Sequence, residues 1–281
     1  MLWCAMPMPP PDPFDLHGPA VPETPVVLAV PHAGRAYPAT LLAMLRVPLA
    51  RLAALEDRCV DHVAIAARQH ETLLVARTPR AWIDLNRDEA DRDPRIDAGA
   101  VRGSPSMKVR SGLGLVPRRI EGCDDIWRRR LSGAEVDARI AESHRPYHAM
   151  LAALLERARA RFGVAVLLDV HSMPPLGAGN GPQIVIGDRF GQSADARLSS
   201  AIEAVGHRAG LRIAHNVPYA GAHILQRHAD PARNIHALQL EIDRRLYLDA
   251  ALAAPGAGLA ATAMLVRAMA ATLERIATGG A

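Results

Sequence analysis

Five consecutive apolar residues, Val26-Val27-Leu28-Ala29-Val30, leave no position suited to face water. That is the pattern of a strand covered on both faces of a sheet. The run stops at Pro31-His32-Ala33-Gly34, where proline and glycine interrupt regular pairing. Residues 40–70 carry helical spacing broken near Pro48, and short strands are predicted over 72–76 and 81–84. From 87 to 124 the chain is rich in Gly, Pro, Asp and Arg with little periodicity. A connection of that length needs a functional reason, and it is a candidate lid. A helix is predicted over 133–162, kinked at Pro146, leading into a second apolar strand at 164–168 that ends in Asp169-Val170-His171-Ser172-Met173-Pro174-Pro175. A strand over 183–186, a helix over 194–210, a strand over 237–242 and an Ala-rich helix over 256–277 complete the chain. This alternation predicts an α/β fold, a single domain over 23–278 preceded by a flexible, Pro-rich lead-in over 1–22.

Composition narrows the function classes. Apolar residues make up 49% of the 281 and charged residues 22%, the balance of a chain that buries a sizeable core. A formal charge of +4 and a pI of about 9.3 invite a nucleic-acid partner, but the 33 basic residues are interleaved with 29 acidic ones. Aromatic residues are only 4%, too few for base-stacking platforms, so no nucleic-acid partner is expected. Cys4, Cys59 and Cys123 are scattered and fit reduced thiols in a cytoplasmic protein better than a disulfide framework. No segment has the apolar length of a membrane span, and residues 1–13 lack a basic stretch followed by an apolar core.

In an open α/β sheet, ligands bind beyond the carboxyl ends of the strands. His32 and His171 follow two apolar strands in Pro-containing turns. Neutral imidazoles there suit zinc, which in catalytic sites takes three protein ligands and leaves a place for water; taken singly, each is equally a turn histidine donating to a carbonyl. The third ligand is sought among Glu56, Asp57 and Asp61, at the start of the helix after the first strand. Acids in a first turn also complement the helix dipole, a weaker explanation for Asp61 than for the other two. Glu241 lies within Leu238-Gln239-Leu240-Glu241-Ile242, where a carboxylate is costly unless it faces a polar cavity or a partner such as Arg244 or Arg245. It is the candidate general base. Asn86-Arg87, after a short predicted strand, offers a guanidinium fork for a substrate carboxylate.

Several ordered motifs resemble those of the N-formylglutamate amidohydrolase family: Pro31-His32-Ala33-Gly34-Arg35 with Tyr37-Pro38, Glu56-Asp57 with Val60-Asp61, Asp84-Leu85-Asn86-Arg87, and Asp169-Val170-His171-Ser172-Met173-Pro174. Gly187-Asp188, Val217-Pro218-Tyr219-Ala220-Gly221, and His236 to Ile242 with Leu246-Tyr247 continue the series, so that the likeness runs from about residue 26 to 249. That family is similar in fold to zinc carboxypeptidases, which implies a mixed central sheet flanked by helices and a single divalent zinc ion. The resemblance implies His32 and His171 as metal ligands with Asp57 or Asp61 as the acidic one, Glu241 as base, and Asn86, Arg87 and Tyr219 at the substrate. It also implies a small N-acyl amino acid as substrate, with N-formyl-glutamate hydrolysed to formate and glutamate. The chain departs from the family's pattern at Gly221-Ala222-His223 and at Ala229-Asp230, in the loop expected to shape the substrate pocket. A zinc amidase or carboxypeptidase acting on peptides or other N-acyl amino acids is the neighbouring alternative, and a non-catalytic binding protein the more distant one. Oligomeric state is not readable from these residues.

Overall fold

The computed structural model describes residues 12–279 except 102, 104, 178 and 179; residues 1–11, including Cys4 and most of the prolines of the lead-in, lie outside them. In chain order the elements are β1 (Phe14–His17), β2 (Val26–Val30), α1 (Ala39–Met44), α2 (Val60–Ala67), β3 (Thr72–Ala76), α3 (Met107–Arg110), α4 (Gly133–Arg139), α5 (Arg145–Phe162) and β4 (Ala165–Met173). There follow β5 (Ile184–Gly187), α6 (Ala196–Arg208), β6 (Ile213–His215), α7 (His223–His228), β7 (Ile235–Asp243) and α8 (Leu259–Ala277). The seven strands form one sheet in the order β1-β3-β2-β4-β7-β5-β6. β2, β3, β4 and β7 run parallel, whereas β1 meets β3 and β5 meets β7 antiparallel. The expected single α/β domain with a mixed central sheet flanked by helices is therefore what the chain forms.

Strand parity divides the core. Val166, Leu168, Val170, Leu238, Leu240 and Ile242 pack with α2, α6 and α8 on one face. Val27, Ala29, Ala165, Leu167, Ile235 and Ala237 pack with α5 and the irregular segments on the other. Successive strand residues point to opposite faces, so the odd-numbered residues farther along β4 and β7 continue on the α5 side. There the apolar series gives way to Asp169, His171, Gln239 and Glu241, all buried.

The structure corrects the sequence reading at several points. Residues 81–84 form a turn rather than a strand; Ala81 and Ile83 are apolar because the turn is buried beneath α5. β4 runs to Met173, so His171 is in the strand and not in a turn after it. β1 lies within the stretch read as lead-in and closes one edge of the sheet through Phe14 opposite Ala76. The helix over 133–162 is divided by a wide turn at Ile140–His144, just before Pro146, whose missing N–H cannot complete the regular ladder. The two ends of the candidate lid are packed, with Ile96, Leu115, Val116 and Ile120 buried and Arg118 paired with Asp93 at 2.8 Å, whereas the described residues of 98–108 are exposed or half-buried. Cys59 and Cys123 are free thiols. No helix among the described residues is long and apolar enough to cross a membrane.

Gly34 sets the path of the chain beyond His32. A Cβ there would lie 2.1 Å from the Thr78 carbonyl oxygen and 2.7 Å from the Arg77 carbonyl carbon, both backbone atoms, and the Ala36 N–H bonds Arg77 O at 3.1 Å alongside. Gly34→Ala should therefore force the two segments apart and destabilise the protein by about 1–3 kcal/mol, the usual cost of overpacking. Urea denaturation followed by circular dichroism checks this, and an unchanged midpoint would contradict the tight approach.

Candidate functional site

β2, β4 and β7 deliver three of the site's side chains from neighbouring positions. His32 follows β2, and parallel pairing sets His171 of β4 directly beside Glu241 of β7, with Asp169 beside Gln239. Asp57 arrives on the connection before α2, held by its own N–H donating to the His32 carbonyl at 2.9 Å. The imidazole centroids of His32 and His171 are 4.9 Å apart. Asp57 Oδ2 is 2.9 Å from His171 Nδ1 and 3.6 Å from His32 Nδ1.

The outer nitrogens of both rings are turned to buried carboxylates. His32 Nε2 donates to Asp84 Oδ1 and His171 Nε2 to Asp169 Oδ2, at 2.7 and 2.8 Å. A carboxylate behind each histidine fixes ring orientation and raises its basicity, the usual support for a metal-binding imidazole. The two Nδ1 atoms and Asp57 Oδ2 then converge on one point, three ligand atoms within 4.8 Å of one another. Either a shared proton or a divalent cation can occupy that point. Two imidazoles and one carboxylate, with a further position open to the cavity, match the donor set of a catalytic zinc-type site.

The other acids of the first cluster are engaged elsewhere. Asp61 faces Arg35, which donates Nη1 and Nη2 to its two oxygens at 3.2 and 2.5 Å. Glu56 accepts from the Tyr37 hydroxyl at 2.5 Å and from Arg58 Nη1 at 2.9 Å. Among the three acids, only Asp57 belongs to the histidine group.

Electrostatics follow from burial. Burial opposes charge on Asp57, yet hydrogen bonds from His171 and His32 hold its carboxyl below the ordinary value. Burial likewise opposes the His171 imidazolium, but Asp169 and Asp57 lift its pKa well above the usual one. Asp84, although buried, is held low by Arg80, Arg87 and His32. Glu241 moves the other way: burial pushes it up to about 7, with His171 opposing and Asp57 reinforcing the rise. Gln239 Nε2 donates to its Oε1 at 2.9 Å, whereas Arg245 pairs with Asp243 at 2.5 Å and Arg244 Nε donates to Ser172 Oγ at 3.2 Å. The arginine partner considered for Glu241 in the sequence is thus absent among the described residues' ion pairs.

These groups line a cavity of about 310 Å³ that also takes Asn86, Arg87, Tyr219, Arg80, Lys108 and Arg244 into its wall, a volume at the lower end of small-molecule sites. Arg87 already donates Nε to Leu113 O and Nη1 to Asn86 O, at 2.9 and 2.6 Å. Asn86 Oδ1 accepts from the Ile224 N–H at 2.8 Å, which joins this segment to α7. Tyr219 has its pKa raised by burial and then by Glu241 and Asp57. Arg80 and Lys108 were missed in the sequence, where Arg244 was weighed only as a partner of Glu241; the supporting roles of Asp84 and Asp169 were missed as well. Asp169 carries a signal, an acid two residues before a histidine and hence on the same strand face. Lys108 carries none, since it comes from an aperiodic segment.

The family model described as N-formylglutamate amidohydrolase matches residues 24–248, most of the chain. The chain belongs to the N-formylglutamate amidohydrolase family. Two curated relatives are the N-formylglutamate deformylases of Pseudomonas putida and Pseudomonas aeruginosa, 32% and 31% identical over 185 and 183 residues. Each match covers 63% of this chain and spans about 64% of the relative's length. A crystal structure of N-formylglutamate amidohydrolase from Ralstonia eutropha JMP134 superposes with a TM-score of 0.82 at 34% identity, covering 94% of this chain and 97% of that one. A gene product of Agrobacterium tumefaciens shares the fold, with a TM-score of 0.70 at 23% identity over 94% of this chain and 96% of its own.

The supporting carboxylate gives a direct check. Asp169→Asn should weaken divalent-metal affinity by about 10–100-fold, the usual effect of losing such a partner, while Asp61→Asn leaves it unchanged. Competition with a chromophoric chelator measures both, and equal losses in the two variants would return Asp61 to the ligand set.

Proposed function

We propose that this chain is a metal-dependent amidohydrolase that cleaves the amide of N-formyl-glutamate, releasing formate and glutamate. The observation that carries the reading is the convergence of His32 Nδ1, His171 Nδ1 and Asp57 Oδ2 beside Glu241, in one cavity whose wall bears four basic side chains, Arg80, Arg87, Lys108 and Arg244. Family membership and the deformylase relatives support the same substrate class.

His32, His171 and Asp57 would hold a zinc-class ion, which when bound supplies Lewis acidity toward a carbonyl oxygen and acidifies water. Glu241 takes the proton from the attacking water, whose oxygen bonds to the formyl carbon. As the carbon–nitrogen bond breaks, Glu241 returns that proton to the leaving amine. Gln239 orients the base through its hydrogen bond to Oε1. Tyr219, kept protonated by burial and by the nearby carboxylates, is a donor for oxyanion charge. Asn86 and Arg87 hold a substrate carboxylate, and Lys108 and Arg244 supply positive charge for the second carboxylate of glutamate.

Glu241→Gln should lower kcat for N-formyl-glutamate by about 10²–10⁴-fold, the range ascribed to a positioned acid–base group, with metal content retained. Formate release and metal analysis of the same sample test it, and full activity in that variant would remove Glu241 as the base. Lys108→Ala should raise KM for N-formyl-glutamate about 10–100-fold, as expected for one charge-assisted hydrogen bond, and do less for N-formyl-alanine, which lacks the second carboxylate. Faster turnover of peptides or bulkier N-acyl amino acids than of either formyl substrate would shift the assignment to the broader amidase class.

A further inference from the structure

A second histidine group lies on the far side of residues 84–87 from the cavity chemistry. His144 ends the wide turn before α5 and His148 lies one helical turn on, in α5, so their rings share a face, and His223 opens α7. The three rings each present one nitrogen to a set lying within 4.8 Å of one another. The tautomers follow from the neighbours. His144 Nε2 is 2.9 Å from the Arg87 carbonyl and His148 Nε2 is 2.9 Å from the Leu85 carbonyl. A carbonyl only accepts, so each Nε2 carries the hydrogen and each Nδ1 presents a lone pair. His144 is fully buried, and its Nδ1 has no hydrogen-bond donor, as is also true of the buried His223 Nε2. The His148 lone pair is shared with His228 Nε2 at 2.8 Å.

We infer that His144, His148 and His223 form a second divalent-metal site, selective for an imidazole-seeking ion such as zinc. Two of the three nitrogens, His144 Nδ1 and His223 Nε2, are buried without a partner, which is costly, and one cation answers both while taking His148 as its third ligand. The backbone carbonyls behind His144 and His148 provide the outer support that orients metal-binding imidazoles. Carboxylates stand at the margin, with Glu89 Oε1 3.7 Å from His144 Nδ1 and Asp88 Oδ2 3.5 Å from His223 Nδ1. Binding exchanges the His228 hydrogen bond to His148 for a metal bond. The ion would tie α5 to α7 and brace residues 84–87, whose other side carries Asn86 and Arg87 into the substrate cavity.

Metal analysis of zinc-loaded, desalted full-length protein decides the matter. About two ions per chain are expected in the wild type, about one in His223→Ala and about one in His171→Ala. In the His171→Ala background, calorimetric titration with zinc should show one saturable site that adding His223→Ala abolishes, so a folding defect of one variant does not decide the outcome. One ion in the wild type, retained in His223→Ala and lost in His171→Ala, would overturn this second site and leave the hydrolase reading standing. One ion lost only in His223→Ala would instead support this site and remove the metal from the proposed catalytic centre.

Discussion

Asp57 Oδ2 lies between two imidazole nitrogens, and the rest of the site is arranged to make that contact tolerable. The carboxylate is almost fully buried, where an unpaired charge costs far more than a surface charge. Its own N–H bonds the His32 carbonyl, so the chain cannot carry Asp57 away from His32 without also breaking a backbone hydrogen bond. His171 approaches from β4, an element fixed by pairing along its whole length with β7. Asp84 and Asp169 then accept from the outer nitrogens, and Arg80 donates to Asp84 at 2.8 Å. Each buried charge thus leans on the next, as buried polar networks must when no water is at hand to satisfy them.

The sheet supplies the precision. On the α5-facing side, Ala165 and Leu167 of β4 and Ile235 and Ala237 of β7 are core, and the next same-facing positions are Asp169, His171, Gln239 and Glu241. A slip of one residue between β4 and β7 would turn the groups of one strand to the face opposite those of the other. The apolar halves of the strands therefore hold the polar halves in register. Gly187 allows the loop that carries Tyr219 to lie directly on β5: a Cβ there would meet the Ala220 carbonyl carbon at 2.7 Å.

What could be read in the sequence follows the same division. β2 and β3 were legible because both faces are covered and, Thr72 apart, every residue is apolar. The far half of β4 was not, because its strand residues are polar for the sake of the site and break the hydrophobic pattern that marks a strand. β1 and β6 have four and three residues, mostly half-buried, and α7 has only six, too short for periodicity to speak. His32, His171 and Glu241 could be picked out by position at strand ends or within an apolar run. The choice among Glu56, Asp57 and Asp61 could not, because it is made by Tyr37, Arg58 and Arg35, partners that only tertiary structure assigns. The cationic wall was half legible for a similar reason: Arg87 follows a motif, while Lys108 reaches the cavity from a segment without pattern.

Residues 84–87 connect the two histidine groups in one piece of backbone. Asp84 supports His32, the carbonyls of Leu85 and Arg87 receive His148 and His144, and Asn86 Oδ1 receives the N–H of Ile224. Every residue of this short turn is buried, and it has no strand ladder to hold it. Its position comes from the Asp84 N–H bonded to Leu115 O at 2.8 Å together with these side-chain contacts, so a shift in the imidazoles can be transmitted to the carboxylate and guanidinium. Under the proposed function, in which the cavity places a small substrate to within fractions of an ångström, an irregular turn is a poor scaffold unless it is braced from behind. His144, at the entry to α5, and the histidines of α5 and α7 supply that brace, which is a physical reason for carrying so many imidazoles where leucines would pack.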